Sequence, residues 1–270
     1  MEALTPSDCP AWPRTAREQG VITAVLYGML ASSGLLVGAL IGMLTTPPRQ
    51  LVAAVTAFGS GVLVSALSFD LMGEAFALSS PAFVIGGFLV GALLFVVADV
   101  LLERIAARAS QRKEGTEDAR DIAPAATGGV ALLIGAVLDG ISENTAIGIS
   151  LAADPGLGLV LLVAVFLGNV PESLGSAVGM RHAGRSRRHI ITVWGAAAAA
   201  CTLASIVGYA LLGGLSANLT GALLALAAGG ILAMLADTMM PQAFEDGGPV
   251  IAMATAGGFA CAFLLSHLTG

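Results

Sequence analysis

The sequence predicts an all-α polytopic membrane protein with eight transmembrane helices, and three observations predict it. Of 270 residues, 56% are hydrophobic and only 11% charged, whereas soluble domains carry about 25% charged residues. Mean hydropathy is +0.89. The apolar residues fall in runs of roughly 20, the length a helix needs to cross the hydrocarbon core.

In chain order the spans are 21–44, 51–77, 81–105, 127–152, 156–180, 190–214, 219–241 and 249–268. The breaks carry turn chemistry: Thr45-Thr46-Pro47-Pro48, Ser79-Ser80-Pro81, Asp154-Pro155-Gly156, Ser216-Ala217-Asn218 and Gly247-Gly248-Pro249. Two connections are longer and polar. Residues 106–126 are mixed in charge and read as a mobile loop, and Arg181–Arg188 is a short basic loop. They divide the spans 3+2+3. Residues 1–20, with Pro6, Pro10 and Pro13, lack the apolar core of a signal peptide and read as a tail before one domain, 21–270.

Orientation follows from Lys and Arg. The loops after spans 1, 3, 5 and 7, with the adjoining end of span 3, hold Arg49, Arg104, Arg108, Arg112, Lys113, Arg120, Arg181, Arg185, Arg187 and Arg188. The other side holds Arg14 and Arg17. Positive charge stays inside, so both termini are expected to be extracytoplasmic and 106–126 cytoplasmic. The basic residues form no patch on a soluble surface, which excludes a nucleic-acid partner and leaves the lipid bilayer.

Cys9, Cys201 and Cys261 have no metal-ligand spacing, and Cys201 and Cys261 read as small buried hydrophobes. Gly34, Gly38 and Gly42, like Gly87 and Gly91, recur every four residues and read as helix-packing faces. Met234, Met239 and Met240 read as space-fillers. His182, His189 and His267 read as interfacial.

The chemistry sits in spans 4 and 5. Asp139 and Glu143 are at i and i+4, so they share a helix face beside Ser142; Asn169 and Glu172 are at i and i+3, continued by Ser173 and Ser176. By rise per residue, Asp139 lies about 18 Å into span 4 and Glu172 about 24 Å into span 5 from the other side, near one level. A carboxylate at a helix centre costs roughly 2.5–3.5 kcal/mol on insertion scales. Several at one level point to a cation as their partner. Pro171 removes an amide donor and is expected to kink span 5, freeing a carbonyl near Leu167 or Gly168. Asp70 and Glu74 lie toward the outer end of span 2, and Asp99 and Asp237 toward the inner ends of spans 3 and 7. With Ser142 and Ser173 they outline a pathway. Glu103, beside Arg104, reads as a solvated helix end.

These residues resemble the ZIP (ZRT/IRT-like) family of divalent metal transporters, as a divergent prokaryotic-type member. Asp139-Gly140-Ile141-Ser142-Glu143-Asn144 stands where that family has His-Asn-x-Pro-Glu-Gly. Gly168-Asn169-Val170-Pro171-Glu172-Ser173 is similar to its second motif, and Ala236-Asp237-Thr238-Met239-Met240-Pro241 to its span-7 segment. The resemblance implies that Asp139, Glu143, Asn169 and Glu172 are the metal ligands. The departures are Asp139 for the family's His, Gly140 for Asn, Ser142 for Pro, a Gly168 without a side chain and no acid on span 6. They favour one metal site over two.

The expected function is transport of divalent transition-metal cations of the Zn, Mn and Fe class toward the cytoplasm. The metal is substrate, no organic cofactor is expected, and a multi-pass protein of the cell membrane is implied, with a homodimer left open. The alternative is a proton- or sodium-coupled transporter of an organic solute, using the same acids as a relay. An intramembrane metalloenzyme is disfavoured because catalytic zinc usually takes His ligands, and no span buries a His.

Overall fold

A computed structural model of the chain describes residues 14–113, 137, 140–153, 155–211 and 215–269. Asp139, the predicted span-4 ligand, lies outside them, as does most of the predicted loop 106–126. The elements are α1 (Arg14–Leu44), α2 (Arg49–Ser65), a π-helical turn (Ala66–Leu71), α3 (Met72–Leu78), α4 (Pro81–Lys113), α5 (140–153), α6 (Pro155–His182), α7 (Arg187–Leu211), α8 (Ala217–Met234), a second π turn (Leu235–Met239), α9 (Met240–Gly247) and α10 (Ile251–Thr269). No strand occurs among the described residues.

Six described stretches are long and apolar enough to cross a membrane: Glu18–Leu44, Arg49–Leu78, Pro81–Leu101, Leu161–His182, Arg187–Ala210 and Ala217–Gly247, with Ile251–His267 shorter. They are the helices of a multi-pass membrane protein. α4 exposes Phe83, Ile85, Leu89, Val90, Leu93 and Leu94, a face that suits lipid and not water.

The helix ends follow from local chemistry. Pro48 is extended (φ −60°, ψ 138°) and its carbonyl accepts from Leu51 and Val52 N–H, opening α2. Ser79 is extended (φ −139°, ψ 159°) and closes α3, and Pro81 opens α4, where its missing N–H costs nothing. After α6, Gly184 takes φ 73°. Arg185 N–H then reaches Met180 O at 3.0 Å, and Gly184 N–H reaches Arg181 O at 3.0 Å. That pair of bonds is a Schellman end, and the positive φ is why the basic loop has its glycine there. α4 differs from expectation: it runs past 105 to Lys113, into the stretch read as a loop. Ala106, Ala107, Arg108, Ala109, Gln111 and Arg112 are good helix formers, so the helix outlasts its apolar stretch.

α1 packs most extensively on α6. Its small face allows this: a Cβ on Gly38 would collide with the Val170 carbonyl and the Ser173 hydroxyl of α6, and one on Gly42 would sit 2.7 Å from the Leu174 carbonyl. Helix-packing glycines are what membrane helices use to close on each other.

The stretches 49–78 and 217–247 are antiparallel neighbours. Ser79 Oγ donates to Asn218 O at 3.1 Å at one end, while Gly247 abuts Ala53 at the other. They are also alike. Gly61, Leu67, Met72, Ala75 and Phe76 recur at one constant offset as Gly229, Leu235, Met240, Ala243 and Phe244, and each stretch has a π turn before its last helical piece. Their packing is repeated too. Gly61 meets the Thr255 carbonyl and Gly258 the Phe58 carbonyl, as Gly229 meets the Phe88 carbonyl and Gly91 the Leu226 carbonyl. Thus α2 on α10 is echoed by α8 on α4, inverted.

Candidate functional site

α5 brings Glu143 and Asn144 inside, and both are fully buried. Asn144 Nδ2 donates to the Gly140 carbonyl at 2.8 Å within α5. Its Oδ1 accepts from Ser32 Oγ of α1 at 3.3 Å. Asn144 therefore ties the acid-bearing turn of α5 to α1. Ser142, on the same turn, is half-buried.

α6 brings Asn169 to its middle, also fully buried. Asn169 Nδ2 donates to the Ala31 carbonyl of α1 at 3.1 Å. This approach requires Gly34, whose Cβ would stand 2.5 Å from Phe166 O and 3.0 Å from Asn169 Cβ. Asn169 Oδ1 has no hydrogen-bond partner. Ser173 is buried and donates to Asn169 O at 2.8 Å, back along its own helix. Glu172 is half-buried as a residue, but its carboxylate oxygens are shielded. α6 continues as a helix through Pro171, the residue expected to kink it, and Gly59 of α2 packs beside Leu167 and Gly168 just before it.

The two halves meet at α7. α5 packs on α7, where Gly208 meets the Thr145 carbonyl and Gly148 the Ser205 carbonyl. Cys201 is fully buried and lies in the central part of α7. A Cβ on Gly140 would stand 2.7 Å from Cys201 Sγ and 3.9 Å from Asn169 Oδ1. The Gly140 end of α5 and the Asn169 turn of α6 thus come together beside Cys201 of α7. No three His, Cys, Asp or Glu side chains are gathered closely enough to hold a metal ion among the described residues. Gly168, which offers no ligand, has Met239 Cε at 3.6 Å and Leu63 Cδ1 at 3.7 Å from its Cβ position, so apolar groups fill that side.

No family model matches the chain, and no curated protein matches it. The site rests on its geometry.

The predicted pathway acids lie elsewhere. Asp70 is in the first π turn, half-buried, with Oδ1 accepting from Ser266 Oγ of α10 at 2.7 Å. Asp237 is in the second π turn and exposed. Each turn lies toward the C-terminal end of its stretch, so antiparallel packing sets the two acids toward opposite ends of the bundle. Glu74 is half-buried on α3 and Asp99 half-buried on α4. None of the four joins the centre. Sequence reasoning missed Cys201, the Ser32–Asn144 tie and both π turns. The turns had a signal, since each falls beside an acid in an apolar run.

Proposed function

We propose that the chain carries divalent transition-metal cations of the Zn, Mn and Fe class across the cell membrane toward the cytoplasm. Glu143 and Glu172, assisted by Asn169 and by Asp139, four residues before Glu143 in the sequence, are the groups that receive the ion. The observation that carries this reading is that two acid-bearing turns, of α5 and of α6, are packed together in the interior: Glu143 is fully buried, the Glu172 carboxylate is shielded, and the Gly140 Cβ position is 3.9 Å from Asn169 Oδ1. Two acids placed together in a membrane interior each cost roughly 2.5–3.5 kcal/mol on insertion scales, and one divalent cation neutralises both.

Eight spans in a 3+2+3 order with both ends outside belong to the same proposal, supported by the ten-to-two Lys and Arg count. The inverted echo of α2–α10 in α8–α4 supports alternating access, because transporters built on inverted repeats rock one repeat against the other about a central site. Asp70 and Asp237 would then flank the outer and inner mouths. The experiment is metal uptake by proteoliposomes of the purified chain. Saturable uptake of Mn²⁺ or Zn²⁺ supports the reading. Uptake of an organic solute driven by protons or sodium, with no metal uptake, would replace it with the alternative.

A further inference from the structure

The turn between α6 and α7 takes no part in the interior site, yet Arg181, Arg185, Arg187 and Arg188 crowd onto it. No acid occurs in the sequence between Glu172 and Asp237, so these charges have no counter-ion in their own segment. The turn is held in place from several sides. Arg181 Nη1 donates to the Met43 and Thr45 carbonyls at 3.2 and 3.3 Å, which fastens it to the end of α1. Ser186 opens α7: its Oγ accepts from His189 N–H at 3.2 Å, and its carbonyl accepts from Ile190 N–H at 3.1 Å. Arg181 is thereby committed to backbone, while Arg185, Arg187 and Arg188 are exposed. Glu245 and Asp246, acids at the same end of the bundle, close α9, which packs on α2 and α10.

From these arginines α7 runs on with two unlike faces. Ile190, Trp194 and Cys201 are fully buried in the interior. Ile191 and Leu203 are exposed on the other side. Between them lie Gly195, where a Cβ would meet nothing within 4 Å, and the exposed Ala199. Arg188, Ile191, Gly195 and Ala199 follow one another at three- and four-residue steps, so Arg188 heads this face. Ile191 to Leu203 is about 18 Å along the axis, and one leaflet of the hydrocarbon core is about 15 Å.

We propose that the α6–α7 turn and the outer face of α7 bind an anionic phospholipid, its phosphate on Arg185, Arg187 and Arg188 and an acyl chain along Gly195 and Ala199. Charge complementarity selects the headgroup, because guanidinium matches phosphate oxygens in a two-point geometry and basic residues bordering a membrane helix attract anionic lipid. The apolar face selects a lipid over a soluble anion, which would use the arginines alone. The inference is independent of metal transport and needs only that α7 crosses the bilayer.

The test uses the purified full chain in a neutral detergent. Phosphatidylglycerol is the probe, phosphatidylcholine the uncharged control and inorganic phosphate the free anion. Phosphatidylglycerol is expected to stay bound in native mass spectra and to raise the thermal unfolding midpoint, and neither control is expected to do so. In the triple variant Arg185→Gln, Arg187→Gln, Arg188→Gln its apparent affinity is expected to fall by about tenfold or more. Gly195→Leu leaves every charge in place and is expected to weaken retention by filling the acyl track. Arg49→Gln with Arg104→Gln removes exposed charge from α2 and α4 and is expected to retain the lipid as the parent does. Undiminished binding by the triple variant would overturn the proposal, and so would an equal loss in the Arg49 and Arg104 variant. Equal binding of phosphatidylcholine, or equal stabilisation by inorganic phosphate, would overturn it as well. Elution of each variant as folded monodisperse protein separates a lost site from a lost fold.

Discussion

Ser32 of α1 donates a hydrogen bond to Asn144 of α5 across 3.3 Å in the protein interior. The same Asn144 holds the Gly140 carbonyl, so the turn carrying Glu143 is fixed from both sides. α1 does the same for α6, where Ala31 accepts from Asn169. One helix therefore positions polar residues on both acid-bearing helices, with its small-residue face turned to α6.

Asn144→Leu keeps the branching and the number of heavy atoms of the side chain and removes both hydrogen bonds. Leaving a buried partner unsatisfied costs about 1–3 kcal/mol. The thermal unfolding midpoint in detergent is expected to fall, and Ser32→Ala is expected to give a smaller drop. An unchanged midpoint in Asn144→Leu would mean the tie contributes nothing.

Two glycine substitutions should differ sharply. Gly38→Ala drives a methyl into the Val170 carbonyl and Ser173 hydroxyl, whereas Gly73→Ala meets nothing within 4 Å. Overpacking costs about 1–3 kcal/mol, while Gly to Ala in an open helical position gains about 1 kcal/mol. Gly38→Ala is expected to lower the unfolding midpoint and Gly73→Ala to leave it equal or higher. Equal effects would argue that α1 and α6 are not in close contact.

Topology is checked by labelling. A single cysteine placed in 109–120, in a chain lacking its three native cysteines, is expected to react only from the cytoplasm. Labelling from outside in intact cells would reverse the inner and outer mouths.

Asp139 stands four residues before Glu143 in the sequence, a spacing that on a helix puts two side chains on one face. Asp139→His replaces an oxygen donor with imidazole, which suits zinc better. The Zn²⁺-to-Mn²⁺ uptake ratio is expected to rise. No change would move Asp139 out of the metal's reach and leave Glu143, Asn169 and Glu172.

Much of this was legible along the chain because it is local. Pro47-Pro48 and Ser79-Ser80-Pro81 mark helix ends since proline and extended serine act on their own backbone. Glu143 and Asn169 stood out because charge and amide are costly in an apolar run. The remainder depends on distance through space. Cys201 reads as a small hydrophobe on its own helix, and only the packing of α5 on α7 sets its sulfur against Gly140. Ser32 likewise looks like one more small residue until Asn144 is opposite it. The π turns at Ala66–Leu71 and Leu235–Met239 escape a reading that assumes 3.6 residues per turn, since one inserted residue shifts the face without changing composition.

The most direct test of the account is Mn²⁺ and Zn²⁺ uptake into proteoliposomes by Glu143→Gln and Glu172→Gln beside the unaltered chain. Gln keeps the shape and the hydrogen-bonding capacity but carries no charge to neutralise an ion. The account predicts that each variant inserts and purifies as the parent does while uptake falls by at least about tenfold, a loss of 1.4 kcal/mol or more. Normal uptake by both variants would contradict it, and the two glutamates would then be structural.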